Sequence, residues 1–238
     1  MQCDFIVDIG NSNFKVAALK NNEIVHTIRF DKKEIRELIQ LVKNKNVIIS
    51  NVAESDIQEL LSQNCNLIYL AHSDTKFPFD SEYETMESWG MDRACNIAAA
   101  SYKFPNQNVL IIDIGTCIKF DFIDETNTYK GGSISPGIRL RFQSLAIHTA
   151  KLPLLEPKQE FSLIGKSTNE SILYGVLNGC KSEIDGFIEQ YEAKFEDLKI
   201  IMTGGDAFYF DFKEKSNIFA DENLTMIGLH QLFLFNEG

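Results

Sequence analysis

A chain of 238 residues has room for two modest lobes or one large α/β unit, and 44% hydrophobic residues suffice for a buried core, so disorder is not expected. A formal charge of −11 argues against a nucleic-acid binder, whose footprint is usually basic, but leaves room for a nucleotide, which needs only local N–H groups, a lysine or a metal ion. Five cysteines, scattered and never in a CxxC pair, point to neither a disulfide framework nor a zinc site; with no basic leader and no run of about 18 apolar residues, a soluble cytoplasmic protein is expected.

Phe5–Ile9 is an apolar run broken only by Asp8 and reads as a buried strand. Phe14–Leu19 and Ile24–Phe30 follow as strands, joined by "KNNE", whose asparagines tolerate the positive φ of a hairpin turn. "DKKEIRELIQLVKN" predicts a helix. Asp31 is its N-cap, Glu34 completes a capping box, and Ile35, Leu38, Ile39 and Val42 share one face. "VIIS" is a short buried strand, "SDIQELLSQ" a helix capped by Ser55, and "NLIYL" a further strand. Met91–Phe104 predicts a helix around the small residues "NIAAAS". From Val109 the opening pattern returns: a buried strand, a turn at Gly115, the strand "CIKFDFID", a turn at "ETNT", and then "YKGGSISPG". "GGSISPG" reads as a flexible, hydroxyl-bearing loop. A long helical region covers about 169–195, and "LKIIMTGGD" is a late strand entering a glycine turn.

The return is close in detail. "FIVDIG" at Phe5–Gly10 aligns without gaps to "LIIDIG" at Leu110–Gly115, which places Asp8 over Asp113. A duplicated strand–turn–strand predicts two similar α/β lobes facing one another across a cleft. A carboxylate at the end of a buried strand is costly unless compensated. In "DIGNSNFK" the turn N–H groups, the Asn11 amide, the Ser12 hydroxyl and Lys15 can cradle a polyphosphate while Asp8 holds a hydrated Mg²⁺. The bland alternative is an aspartate bonding its own turn; the repetition favours phosphate. "GMDR" puts Asp92 and Arg93 at a helix start. There Asp92 is either a residue favoured by the helix dipole or an acceptor for the proton of an attacking hydroxyl. Arg93 is either a surface helix arginine or a bidentate grip on a carboxylate.

Taken in order, "DIGNSNFK", the second "DIGT", "GMDR", "GGSISPG" and the late "TGGD" resemble the motifs of the type III pantothenate kinases, members of the actin-like, acetate and sugar kinase superfamily. The resemblance implies two ribonuclease-H-like lobes, divided here as 1–106 and 107–238, and transfer of phosphate from ATP to pantothenate. It implies ATP-phosphate binding by Asp8, Ile9, Gly10, Asn11, Ser12, Asn13, Phe14 and Lys15, with Ser12 in place of the usual threonine, and an ATP contact from Thr116. Pantothenate would be bound by Tyr83, Gly90, Met91, Asp92, Arg93 and Thr168, with Asp92 the catalytic base. Mg²⁺ would arrive with ATP, and K⁺ or NH₄⁺ would bind Asp113. The resemblance further implies a homodimer with substrate near the subunit interface; the acidic charge and the lack of a membrane-length apolar run point to neither nucleic acid nor membrane as partner. The chain departs from the family at Met86, Trp89 and Lys119. Lys119 stands where a threonine is frequent and is either a charge at a strand edge or a group bearing on the phosphate site. A non-catalytic regulatory protein on the same fold, or a superfamily kinase for another alcohol, are the alternatives; turnover of pantothenate separates them.

Overall fold

The computed structural model describes residues 3–10, 13–51, 55–71, 75–212 and 216–237, which fall into two compact units. The first comprises Met1–Pro105 with Asn223–Gly238, the second Asn106–Glu222.

In the first unit, strands β1 (Phe5–Ile9), β2 (Asn13–Lys20), β3 (Glu23–Asp31), β4 (Asn46–Asn51) and β5 (Leu67–Leu70) form one sheet in the order β3-β2-β1-β4-β5. β1 to β3 are an antiparallel meander; β4 lies parallel to β1, and β5 parallel to β4. The β2–β3 hairpin turns through Asn21 and Asn22 at φ 53° and 64°, the left-handed conformation expected of that pair. The capping box also forms: Lys33 N–H donates to Asp31 Oδ1 at 3.1 Å and Asp31 N–H to Glu34 Oε2 at 2.7 Å. One 3₁₀ turn follows, then α1 (Ile35–Val42). Val7, Ile9, Phe14, Val16, Val47 and Ile49 bury one sheet face against Leu38 and Val42 of α1 and Leu61 of α2 (Ser55–Ser62). The expected cap at Ser55 concerns a side chain outside the described set.

The opposite face carries Ile6, Ala17 and Ile48, all fully buried, and is covered by α3 (Met91–Lys103) and α6 (Leu224–Glu237). These two helices meet closely: a β-carbon at Gly228 would lie 1.7 Å from the Cys95 carbonyl oxygen, so only glycine fits there. The division expected at 106/107 groups the last helix with the second lobe, whereas α6 packs in the first unit. A run as apolar as "LTMIGLHQLFLF" has nearly every side to bury, and nothing local in it says against which sheet. Between β5 and α3 lie the two-residue strand β6 (Asp80–Ser81) and a 3₁₀ turn at Met86–Ser88.

The second unit repeats the plan. Strands β7 (Val109–Ile114), β8 (Cys117–Ile123), β9 (Thr128–Pro136), β10 (Lys199–Thr203) and β11 (Ile218–Ala220) run in the order β11-β10-β7-β8-β9, with the same sense of each pairing as in the first unit. Leu110, Ile112, Phe120 and Phe122 pack against Leu177, Ile184 and Ile188 of α5 (Thr168–Lys194). Ser167 caps that helix, its hydroxyl accepting from Glu170 N–H at 3.2 Å. Helix α4 (Ile138–His148) follows β9. The flexible loop expected at "GGSISPG" is for the most part strand: Gly131 to Pro136 pair with β8, and that pairing overrides the local glycine and proline signal. Cys3, Cys95 and Cys180 are buried and Cys65 and Cys117 partly so, and none forms a disulfide.

His230 of α6 is 4% exposed, its Nε2 without a hydrogen-bond partner, and burial lowers its pKa from the ordinary 6.5. The unfolded chain therefore takes up this proton before the folded one does, and stability falls as pH drops through about 6.5. His230→Leu removes that dependence. Its thermal melting point relative to the native sequence should rise progressively from pH 7.5 to pH 5.5; a constant difference would show that His230 does not titrate with unfolding.

Candidate active site

Strand alternation and register assemble the first group. Asp8 shares its face of β1 with Ile6, on the side covered by α3 and α6. Directly opposite Asp8 are Lys15 on β2 and Ser50 on β4, so a carboxylate, an ammonium and a hydroxyl form one row across three strands. The row lies where β1 and β4 end and β2 begins, beside the turn in which Gly10 N–H donates to Asn13 O at 3.1 Å. Asn11 and Ser12 lie outside the described residues. Asn13 is exposed and Ile9 and Phe14 are wholly buried, so of the expected phosphate residues these last two shape the turn from the core side. Ser50 is completely buried, and its Oγ has no hydrogen-bond partner among the described residues. Sequence reading passed over it. The available signal was a hydroxyl ending an otherwise apolar strand.

Helix α3 brings Asp92 to the same face. Gly90 is its N-cap, Asp92 lies in the first turn, and Cys95 is one turn further on. Burial first, then the charges of Asp8 and of Asp92, push the Cys95 thiol well above its ordinary pKa. Two carboxylates from separate elements thus bear on one buried thiol. Asp92 Oδ1 accepts Arg93 N–H at 2.8 Å, which orients the carboxylate at the positive end of the helix.

Arg93 is no surface residue; it is 4% exposed. Its guanidinium lies 5.4 Å from the Tyr83 ring centroid, and its Nη1 donates to Tyr83 Oη at 3.5 Å. Tyr83 packs on Trp89 at 5.9 Å, and Trp89 meets Phe77 and Phe79 edge-on at 5.5 and 6.0 Å. Trp89 is thus the centre of an aromatic wall that fixes Tyr83 beside Arg93. The structure brings Tyr83, Gly90, Met91, Asp92 and Arg93 into one neighbourhood.

The second unit holds its own group. Asp113 ends β7 as Asp8 ends β1, with Thr203 of β10 opposite it on one side and Lys119 of β8 on the other. Lys119 Nζ lies 2.7 Å from Asp113 Oδ2, with both side chains about one-seventh exposed (15% and 14%). The turn is tight: Gly115 N–H donates to Cys117 O at 3.0 Å and Gly137 N–H to Thr116 O at 3.0 Å. The "TGGD" segment backs onto it, Asp206 N–H donating to Ile114 O at 2.9 Å. Gly204 has φ +96°, and a β-carbon there would lie 2.5 Å from Asp113 Oδ1. Burial raises the pKa of Asp206, and Arg139 pulls it the other way. Thr116 is exposed at the turn. Thr168 is elsewhere in this unit, the first residue of α5, at a largely apolar groove of about 900 Å³ lined also by Leu140, Arg141, Leu145 and Val176.

A carboxylate, lysine and hydroxyl in register at the mouth of a duplicated sheet can grip phosphate, and a helix-borne carboxylate beside them can take a proton. Comparison with known proteins agrees with that chemistry. The sequence profile described as type III pantothenate kinase matches residues 5–190. The chain belongs to the type III pantothenate kinases. It is 40% identical to the type III pantothenate kinase of Flavobacterium johnsoniae over 236 residues, covering 96% of each chain. It is also 40% identical to that of Flavobacterium psychrophilum, covering 97% of this chain and 98% of the relative. Among solved structures it resembles a Campylobacter jejuni protein provisionally named a Baf family transcriptional activator, with TM-score 0.67, 22% identity and 98% of each chain covered. It also resembles the activator of 2-hydroxyisocaproyl-CoA dehydratase from Clostridium difficile, with TM-score 0.53, 12% identity, and 99% and 94% covered. At such identities these structures speak for the fold alone, the actin-like ATPase fold.

Proposed function

We propose that this chain transfers the γ-phosphoryl group of ATP to the primary hydroxyl of pantothenate, the step that opens coenzyme A synthesis. Membership of the type III pantothenate kinases supports the reaction. The observation that supports the residue assignment is the register row of Asp8, Lys15 and Ser50 at the end of the central strand, on the sheet face that packs against α3, the helix whose first turn carries Asp92.

Asp92 accepts the proton of the acceptor hydroxyl as its oxygen attacks phosphorus and ADP leaves; the Arg93 N–H bond to Oδ1 orients its carboxylate. Arg93, held over Tyr83, pairs with the pantothenate carboxylate, for which a buried guanidinium supplies a bidentate, weakly hydrated donor. Gly90 and Met91 shape the approach. Lys15, Asn11, Ser12 and the turn N–H groups between Gly10 and Asn13 offset phosphate charge, and Thr116 contacts the nucleotide. Ser50 completes this set: its unpartnered buried hydroxyl is aimed along the same row as Asp8. Asp8 would hold Mg²⁺, which would supply charge neutralisation to the phosphates. Among the described residues no group of three or more His, Cys, Asp or Glu could hold a metal, and an Mg²⁺ shared among one carboxylate, phosphates and water needs none.

Among the described residues no helix is long and apolar enough to cross a membrane. A homodimer built on the α4–α5 groove suits the apolar side chains displayed there and would put Thr168 at an interface. Sedimentation should find a dimer, and Leu140→Asp should yield monomers; a monomeric native protein would contradict this assembly.

An ADP-release assay should show turnover that requires pantothenate. Asp92→Asn should lower kcat by about 100-fold or more with ATP binding retained, and Ser50→Ala should weaken ATP use without lowering the melting point. Turnover absent with pantothenate but present with another alcohol would reject the substrate, and an active Asp92→Asn would remove Asp92 from the base role.

A further inference from the structure

The family resemblance implies an exchangeable monovalent cation at Asp113, and the residues around that carboxylate do not fit one. Lys119 stands directly opposite Asp113 in the β7–β8 register, and its ammonium lies 2.7 Å from Oδ2. On the other side the Gly204 turn closes on Oδ1: a single added carbon there would come within 2.5 Å. The pair already sums to zero charge. With only 15% and 14% of the two side chains exposed, a further K⁺ would leave one net positive charge poorly hydrated. The ammonium is also tethered one strand away, so its effective concentration at the carboxylate is far above that of a dissolved ion. An ammonium group and K⁺ carry the same charge, which is why the one can do the electrostatic work of the other.

The cross-strand position is shared with the first unit; the 2.7 Å ammonium contact and the Gly204 closure that argue against a cation are those at Asp113. In the first unit Lys15 stands opposite Asp8 in the same register relation. The loop between carboxylate and lysine is one residue shorter in the second unit, seven positions on from Asp8 against six from Asp113, yet the cross-strand partner is again a lysine.

We infer that Lys119 is a built-in substitute for the monovalent cation at Asp113, so that phosphoryl transfer by this chain does not depend on K⁺ or NH₄⁺. This rests on the kinase reading above. The ε-ammonium neutralises Asp113, holds the β7–β8 turn with Thr116 in place, and keeps the nucleotide-side loop ordered without an ion from solution.

The test uses the full chain, with initial rates at equal ionic strength in potassium, ammonium and tetramethylammonium chloride, the last too large to bind a cation site. The native protein should vary by less than about twofold among them, whereas Lys119→Thr should fall roughly tenfold or more in tetramethylammonium and recover in potassium or ammonium. Lys119→Met, of similar length but without charge, should show the same loss. Crystals soaked in rubidium give a second readout independent of turnover: no anomalous peak at Asp113 in the native protein, and a peak there in Lys119→Thr. A saturable potassium requirement of the native enzyme, a rubidium peak at its Asp113, or a folded Lys119→Thr that is active in every salt or rescued by none would each overturn the substitution. No turnover with pantothenate in any salt would instead sink the kinase reading, and the rubidium maps would still decide who occupies Asp113.

Discussion

A carboxylate placed at the end of a buried central strand is the constraint around which both units are arranged. Left alone, Asp8 or Asp113 would be an expensive charge in a half-buried position. Each is answered by a lysine directly across the antiparallel ladder and flanked by a hydroxyl residue on the parallel neighbour, Ser50 in one unit and Thr203 in the other. The compensation is local and set by register. A one-residue slip of β2 or β8 would turn the lysine to the opposite face and leave the carboxylate without it. The tight turns at Gly10 and Gly115 hold that register, which ties each glycine two residues after the aspartate to the cross-strand pairing of carboxylate and lysine.

The same duplicated device serves different ends. In the first unit the sheet face that carries Asp8 packs against α3, the helix with Asp92 in its first turn, and the proposed chemistry is placed there. In the second unit the neighbours of Asp113 include the ammonium of Lys119 and the Gly204 turn. On the readings proposed above, one copy acts on ligands and the other is neutralised by a side chain of the protein itself.

Much of this was legible in the sequence because it is written in short-range rules. Each "DIG" turn, the paired asparagines at the β2–β3 turn, the Asp31 and Glu34 capping box and the helix start at "GMDR" depend on residues within four or five positions of one another. What escaped depends on distant partners. α6 has no amphipathic stripe to betray its direction, and its packing on α3 turns on Gly228 meeting Cys95, 133 positions earlier. The strand at Gly131–Pro136 carries loop-like residues, and β8 supplies the order. Arg93 read as either surface or site because its burial is set by Tyr83 and Trp89, and Ser50 was overlooked because only the register with Asp8 gives a lone serine meaning. Lys119 was noticed as a departure, and its partner became apparent only with the ladder.

The central claim is that the Asp8 row, and not the resemblance of its motif alone, makes the phosphate site. Calorimetric titration of ATP with Mg²⁺ into the native chain and into Asp8→Asn, which keeps the shape and removes the charge, tests it most directly. The account predicts that the variant stays folded and that its affinity for the magnesium nucleotide drops by about tenfold or more. Unchanged affinity in a folded Asp8→Asn protein would contradict it.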